Sequence, residues 1–138
     1  YHVVVGASGS KGGSYVLTSQ EAGVVGCDDT HNWTYAGADL SGTISTGDCA
    51  GSASARQDIY EIWMEKGQTV NVAGTLNKNG AILWRTGSAG SSDLVTKVLP
   101  AGGSASFTFT APSADAYRIH FIGEPSTSGA ITYSATIR

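Results

Sequence analysis

The chain has 138 residues, enough for one domain with a sizeable core. Its net charge is −3, only 14% of residues are charged, and Lys and Arg total 8 with no basic stripe, which argues against nucleic acid as a partner. No apolar run approaches the ~20 residues that a membrane helix needs, and the Gly-rich, Ser/Thr-rich composition favours short strands and turns over helices.

Tyr1, Val3 and Val5 alternate with His2 and Val4, and 6–13 is a glycine-rich turn. Tyr15 to Thr18 reads as the return strand, so residues 1–18 are expected to form a hairpin, with Tyr1, Val3, Val5, Tyr15 and Leu17 as its packing residues. Residues 20–39 are irregular. Strands are expected over 40–45, 58–65, 69–76, 81–85, 93–99, 106–110, 117–122 and 130–137, with the last two read as a closing hairpin. Pro112 ends the strand SFTFT, because it cannot donate to a ladder. In DIYEIWME, Tyr60, Ile62 and Met64 share the inward face, which leaves Glu61, Trp63 and Glu65 outside. Trp84 joins Ile82 in the core. No segment reads as a helix. Short strands with a turn signal about every ten residues predict an all-β fold, an antiparallel jelly-roll-like β-sandwich.

The opening repeats the close. Tyr1-Val3-Val5-Gly6 parallels Tyr117-Ile119-Phe121-Gly123 with one extra residue in the second copy, and both run through a Gly/Ser turn into a second strand. Two units are therefore expected, an N-terminal hairpin over 1–20 and a sandwich over 21–138. The hairpin is either the end of a preceding repeat, an extension packed on its own domain, or a strand donor to a neighbouring copy. Residue 1 is Tyr, not Met, which fits a chain numbered after processing or cut from a longer one.

Cys27 and Cys49 are the two cysteines. A bond between them would close a loop of roughly 20 residues, stabilise by about 3 kcal/mol, and imply an oxidising, extracellular setting; the alternative is two buried thiols. Asn32-Trp33-Thr34 is an N-glycosylation triplet. Asp28, Asp29 and, across the expected disulfide, Asp48 supply carboxylates that calcium would accept, against the plainer reading as turn-forming side chains. Trp63, outward on its strand, and Trp33, in the irregular segment, are the candidate surface contacts for a protein or carbohydrate ligand. His2, His31 and His120 are dispersed, and His2 and His120 read as partly exposed sheet residues. Glu61 and Glu65 lie ~13 Å apart, too far for glycosidase chemistry, and read as a solvated face. Gly47-Asp48-Cys49-Ala50-Gly51 has the spacing of a nucleophile elbow but no helix after it. No catalytic residues are assigned, and no cofactor other than calcium.

DIYEIWMEKGQTVNV resembles the D-x-Y-x-F-x-L-x-x-G-Q-x-V-x-V stretch of the bacterial pre-peptidase C-terminal domain family, with Ile62 and Met64 replacing the usual residues. LSGTISTGDC, TFTAPSADAYRIHFIG and ITYSATI are similar to its other segments in order and spacing, with Ala116 where Gly is usual; together they cover about 24–138. The resemblance implies a jelly-roll-like sandwich on secreted bacterial or archaeal proteins, often peptidases, where the domain is an accessory and not the catalyst. Related domains of bacterial collagenases bind collagen, and some bind calcium. The family's acidic D-x-D-L-x-L strand is replaced here by NKNGAILW, which counts against calcium at that strand. The expected function is a non-catalytic extracellular structural or adhesion module, on the cell surface or secreted. Its expected partners are other copies or adjacent repeats, joined through the N-terminal hairpin as an array or filament. The alternative is an accessory substrate-binding or spacer domain of a secreted hydrolase.

Overall fold

The computed structural model describes residues 32–50, 55–86, 93–124 and 129–138. Strands account for all of their regular structure: β1 Asn32–Trp33, β2 Asp39–Ile44, β3 Cys49–Ala50, β4 Arg56–Met64, β5 Thr69–Leu76, β6 Gly80–Thr86, β7 Asp93–Leu99, β8 Ser104–Thr110, β9 Asp115–Gly123 and β10 Ile131–Ile137. They form two sheets. One runs β1-β4-β9-β6-β7, with β3 also on the edge of β4; the other runs β2-β10-β5-β8. The expected all-β sandwich is the fold observed.

Alternation makes the layers. In TVNVAGTL every second residue is buried, and ITYSATI behaves almost the same way, because successive side chains on a strand point to opposite faces. Ile62 and Met64 of β4, Ile119 and Phe121 of β9, and Ile82 and Trp84 of β6 meet Val70, Val72, Tyr133 and Ile137 of the facing sheet. Burying each large side chain there contributes about 1.5–3 kcal/mol. Aromatic rings fill the centre: Phe121 stacks on Tyr133 at 4.1 Å, and Trp84 lies 5.4 Å from Phe109 and 6.2 Å from Tyr117. On the far side of the four-stranded sheet the hydroxyls pair with one another, Thr69 with Thr110 at 2.8 Å and Thr75 with Ser134 at 3.0 Å.

The connections correct one expectation. β9 and β10 are not a hairpin. β9 sits between β4 and β6 in one sheet, and β10 sits between β2 and β5 in the other. Their inward faces look at each other across the core, which an adjacent antiparallel pair could not do. The turn at Lys66-Gly67 likewise carries the chain from one sheet to the other, and Gly67 takes a φ of +82°, which a side chain would resist. β6 and β7 do pair as neighbours. The expected hairpin over 1–18, with Tyr1, Val3, Val5, Tyr15 and Leu17, lies outside the described residues.

Candidate functional site

The edge of β4 carries a group of exposed aromatic side chains. β1 runs parallel to β4, with Asn32 opposite Tyr60 and Trp33 opposite Glu61, and the Thr34 N–H extends the pairing to the Glu61 carbonyl at 2.8 Å. Trp33 is 63% exposed and Trp63 44%, while Tyr35, 69% exposed, lies beyond β1 in the connection to β2. Trp63 stands two residues beyond Glu61 on the same outward face, so it is ~7 Å along the strand from the level of Trp33. Its indole N–H donates to the Glu65 carboxylate at 2.9 Å, which holds the ring. Beside it the Arg118 guanidinium donates to Glu61 at 2.7 Å. Glu61 is only 13% exposed, so the solvated glutamate expected from sequence is instead one half of a partly buried ion pair. Flat apolar rings bordered by bidentate-capable polar groups suit a ligand with an apolar face and hydroxyl or amide edges.

Behind this edge lies a polar group inside the sandwich. Tyr133 donates its hydroxyl proton to Asp58 at 2.6 Å, and the Tyr60 hydroxyl lies 2.8 Å from that of Tyr133. With the Tyr133 proton committed to the carboxylate, Tyr60 is the donor in the second bond. Burial pushes the Asp58 pKa up; the Tyr133 hydrogen bond opposes that shift and the Asp48 charge adds to it. Tyr133 is raised as well, by burial first and then by its bonds to Asp58 and Tyr60. Gly42 of β2 makes the arrangement fit, since a Cβ there would stand 2.2 Å from the Tyr133 hydroxyl. Reading one strand at a time missed this network, because its members come from β4 and β10 in different sheets. The glycine inside LSGTI was the available signal.

The remaining sequence candidates divide by location. Asp28, Asp29 and Cys27 lie outside the described residues. Asp48 accepts from the Ser45 N–H at 2.6 Å and from its hydroxyl at 3.1 Å, so its carboxylate closes a turn. Among the described residues no three metal-ligating side chains gather. Cys49, in β3, is not a free thiol. Asn32 is exposed. His120 corrects its expectation: it is 5% exposed, and its Nδ1 lies 3.0 Å from the Gln57 side-chain oxygen. No helix among the described residues is long and apolar enough to cross a membrane.

No family model and no curated relative matches the sequence. Among solved structures, the fold is similar to the pre-peptidase C-terminal domain of collagenase from Bacillus anthracis, at 10% identity and a TM-score of 0.57, over 80% of this chain and 96% of that one. The periplasmic lysozyme inhibitor PliG of Aeromonas hydrophila follows at 13% identity and a TM-score of 0.48, over 79% and 100% of the two chains. A CBM4 structure overlaps at 14% identity and a TM-score of 0.41, over 57% of this chain and 68% of its own. The likeness to the pre-peptidase C-terminal domain read from the strand motifs therefore holds at the level of the fold.

Proposed function

We propose that this chain is a non-catalytic extracellular binding module whose contact surface is the β1–β4 edge. The observation that carries the reading is the exposure of Trp33 and Trp63 on paired strands of that edge, with Glu61–Arg118 beside them. Large exposed aromatics on a rigid sheet are the side chains that supply most contact energy in binding surfaces. The ligand is a protein or a carbohydrate, and the shared fold with an accessory domain of a collagenase supports a role beside a secreted hydrolase. Native gels containing soluble polysaccharides, and co-sedimentation with collagen fibrils, test both classes. The expected result is retention by one class that falls at least about tenfold in Trp63→Ala or Trp33→Ala; unchanged retention in both variants would remove the edge from the reading. We also propose that Cys27 is the partner of Cys49, which fits an oxidising compartment.

Assembly with neighbouring copies through residues 1–20 is the second reading. The likeness of YHVVVG to YRIHFIG favours it. The separation of β9 and β10 into different sheets weighs against it, because the C-terminal pattern that the opening copies is not itself a hairpin. Sedimentation that does not change with concentration would dispose of it.

A further inference from the structure

Four charged residues form one row across the six-stranded sheet. Glu61 of β4 stands opposite Arg118 of β9, Arg118 opposite Arg85 of β6, and Arg85 opposite Asp93 of β7. The sequence neighbours Tyr60, Ile62, Tyr117, Ile119 and Trp84 pack in the core, which puts Glu61, Arg118 and Arg85 on the outer face. The order across the strands is acid, base, base, acid, so the two arginines are direct cross-strand neighbours. Like charges in that position, with Cβ atoms about 4.5–5.5 Å apart, destabilise a sheet, and such a departure from the local rules of folding is characteristic of a functional site. A β-bulge contributes to the order. The register of β6 against β7 shifts between Trp84 and Arg85, so Arg85 faces Asp93, whereas an unbroken ladder from Trp84 and Val95 would set it against Leu94.

The two ion pairs use only part of what the guanidiniums offer. Arg85 donates through Nε to Asp93, whose other oxygen accepts from the Thr96 hydroxyl at 3.3 Å. Arg118 donates through Nε to Glu61 at 2.7 Å. Among the described residues the Nη groups of both arginines make no hydrogen bond, although a guanidinium carries most of its donors there. Both side chains reach solvent, at 32% and 27% exposure. Their carboxylate partners lie on opposite sides of the pair, toward β7 and toward β4, so the positive ends of both ion pairs meet in the middle of the row. Two planar forks side by side, with their counter-charges outside them, match an anion that presents two or more oxygens.

We infer that Arg85 and Arg118 together hold the anionic group, a carboxylate or a sulfate, of an acidic polysaccharide whose sugar rings lie against Trp63. The inference rests on the binding edge proposed above and narrows its ligand. Trp63 stands two residues along β4 from Glu61, ~7 Å from the row, and Trp33 ends the row beyond Glu61. A peptide suits the place less well. β4, β9 and β6 have neighbouring strands on both sides, so this face offers a main chain no open ladder, and recognition there runs through side chains alone.

Affinity electrophoresis of the full chain tests it against polygalacturonate, dextran sulfate, uncharged dextran and poly-glutamate. The expected result is retardation by polygalacturonate or dextran sulfate, the polymer that binds identifying the group as carboxylate or sulfate. Dextran should be inert, and the affinity should fall at least about tenfold in Arg85→Gln. Retardation by dextran that Trp63→Ala abolishes and Arg85→Gln leaves alone would overturn the inference while keeping the edge as a carbohydrate surface. Equal retardation by poly-glutamate and polygalacturonate would also overturn it, since an acidic peptide would then serve as well. Retardation by none of the polymers would overturn it too, and co-sedimentation with collagen would then decide the edge by itself. Asp93→Asn separates binding from folding: it keeps both arginines and removes a competing carboxylate, so retardation should hold or increase. A loss equal to that of Arg85→Gln would assign the row to the fold alone and overturn the inference. If Arg85→Gln does not fold, the preference of the parent protein for the acidic over the neutral polymer decides.

Discussion

Asp58 shows how one interior carboxylate makes stability depend on pH. Its folded pKa lies above that of an unfolded aspartate, because burial outweighs the Tyr133 hydrogen bond. The unfolded chain thus releases the Asp58 proton at a lower pH than the folded one. Its contribution is present in full below the unfolded pKa near 4 and is lost as pH rises through the folded value. Asp58→Asn keeps an acceptor for Tyr133 and should flatten that acid-range slope in thermal melts. Tyr133→Phe leaves Asp58 short of a donor and should cost about 1–3 kcal/mol at neutral pH by denaturant titration. Tyr133 acts at the other end of the scale: it stays neutral in the fold at pH values where the unfolded chain ionises, so stability should fall above pH 10 in the parent and less steeply in Tyr133→Phe.

Among the strands, β6 and β9 depart from a half-buried sheet element. In β6, Ile82, Leu83 and Trp84 are buried in succession, so both of its faces are covered. Trp84→Ala should cost about 3–5 kcal/mol and disturb the ring cluster with Phe109 and Tyr117, which near-ultraviolet circular dichroism would show. What could be read from sequence follows the same physics. β5, β7 and β10 were legible nearly residue for residue because alternation is a property of one strand against one core. β1 and β3 were not, since two-residue bridges have no period to detect. The partnership of β9 escaped for another reason: YRIHFIG announces which residues face inward but not which of two sheets holds them. His120 was misjudged as well, because alternation along its own strand does not report whether its outward side is buried. The aromatic edge was half legible, with Trp63 placed by alternation and Trp33 lying in a stretch without pattern.

For the molecule as a whole, low charge and abundant small polar residues produce a sandwich whose two outer faces differ. One is a ladder of paired hydroxyls, and on the other Ile59, His120 and Leu83 are buried. The bond we propose between Cys27 and Cys49 would anchor the chain that leads into β1 next to β3, on the same edge of β4. Cys27→Ser should lower stability by about 3 kcal/mol by the loop-entropy argument, seen as a fall in the denaturant midpoint that added reductant reproduces in the parent protein. The position of β10 has a consequence in time. Its neighbours β2 and β5 never touch each other in the sheet; both wait for a strand that the ribosome makes after every other one described here. Until Ile131–Ile137 emerges, β2 and β5 hold open edges on either side of an empty lane, and the nascent chain depends in that interval on chaperones or on speed to keep those edges from one another and from neighbours.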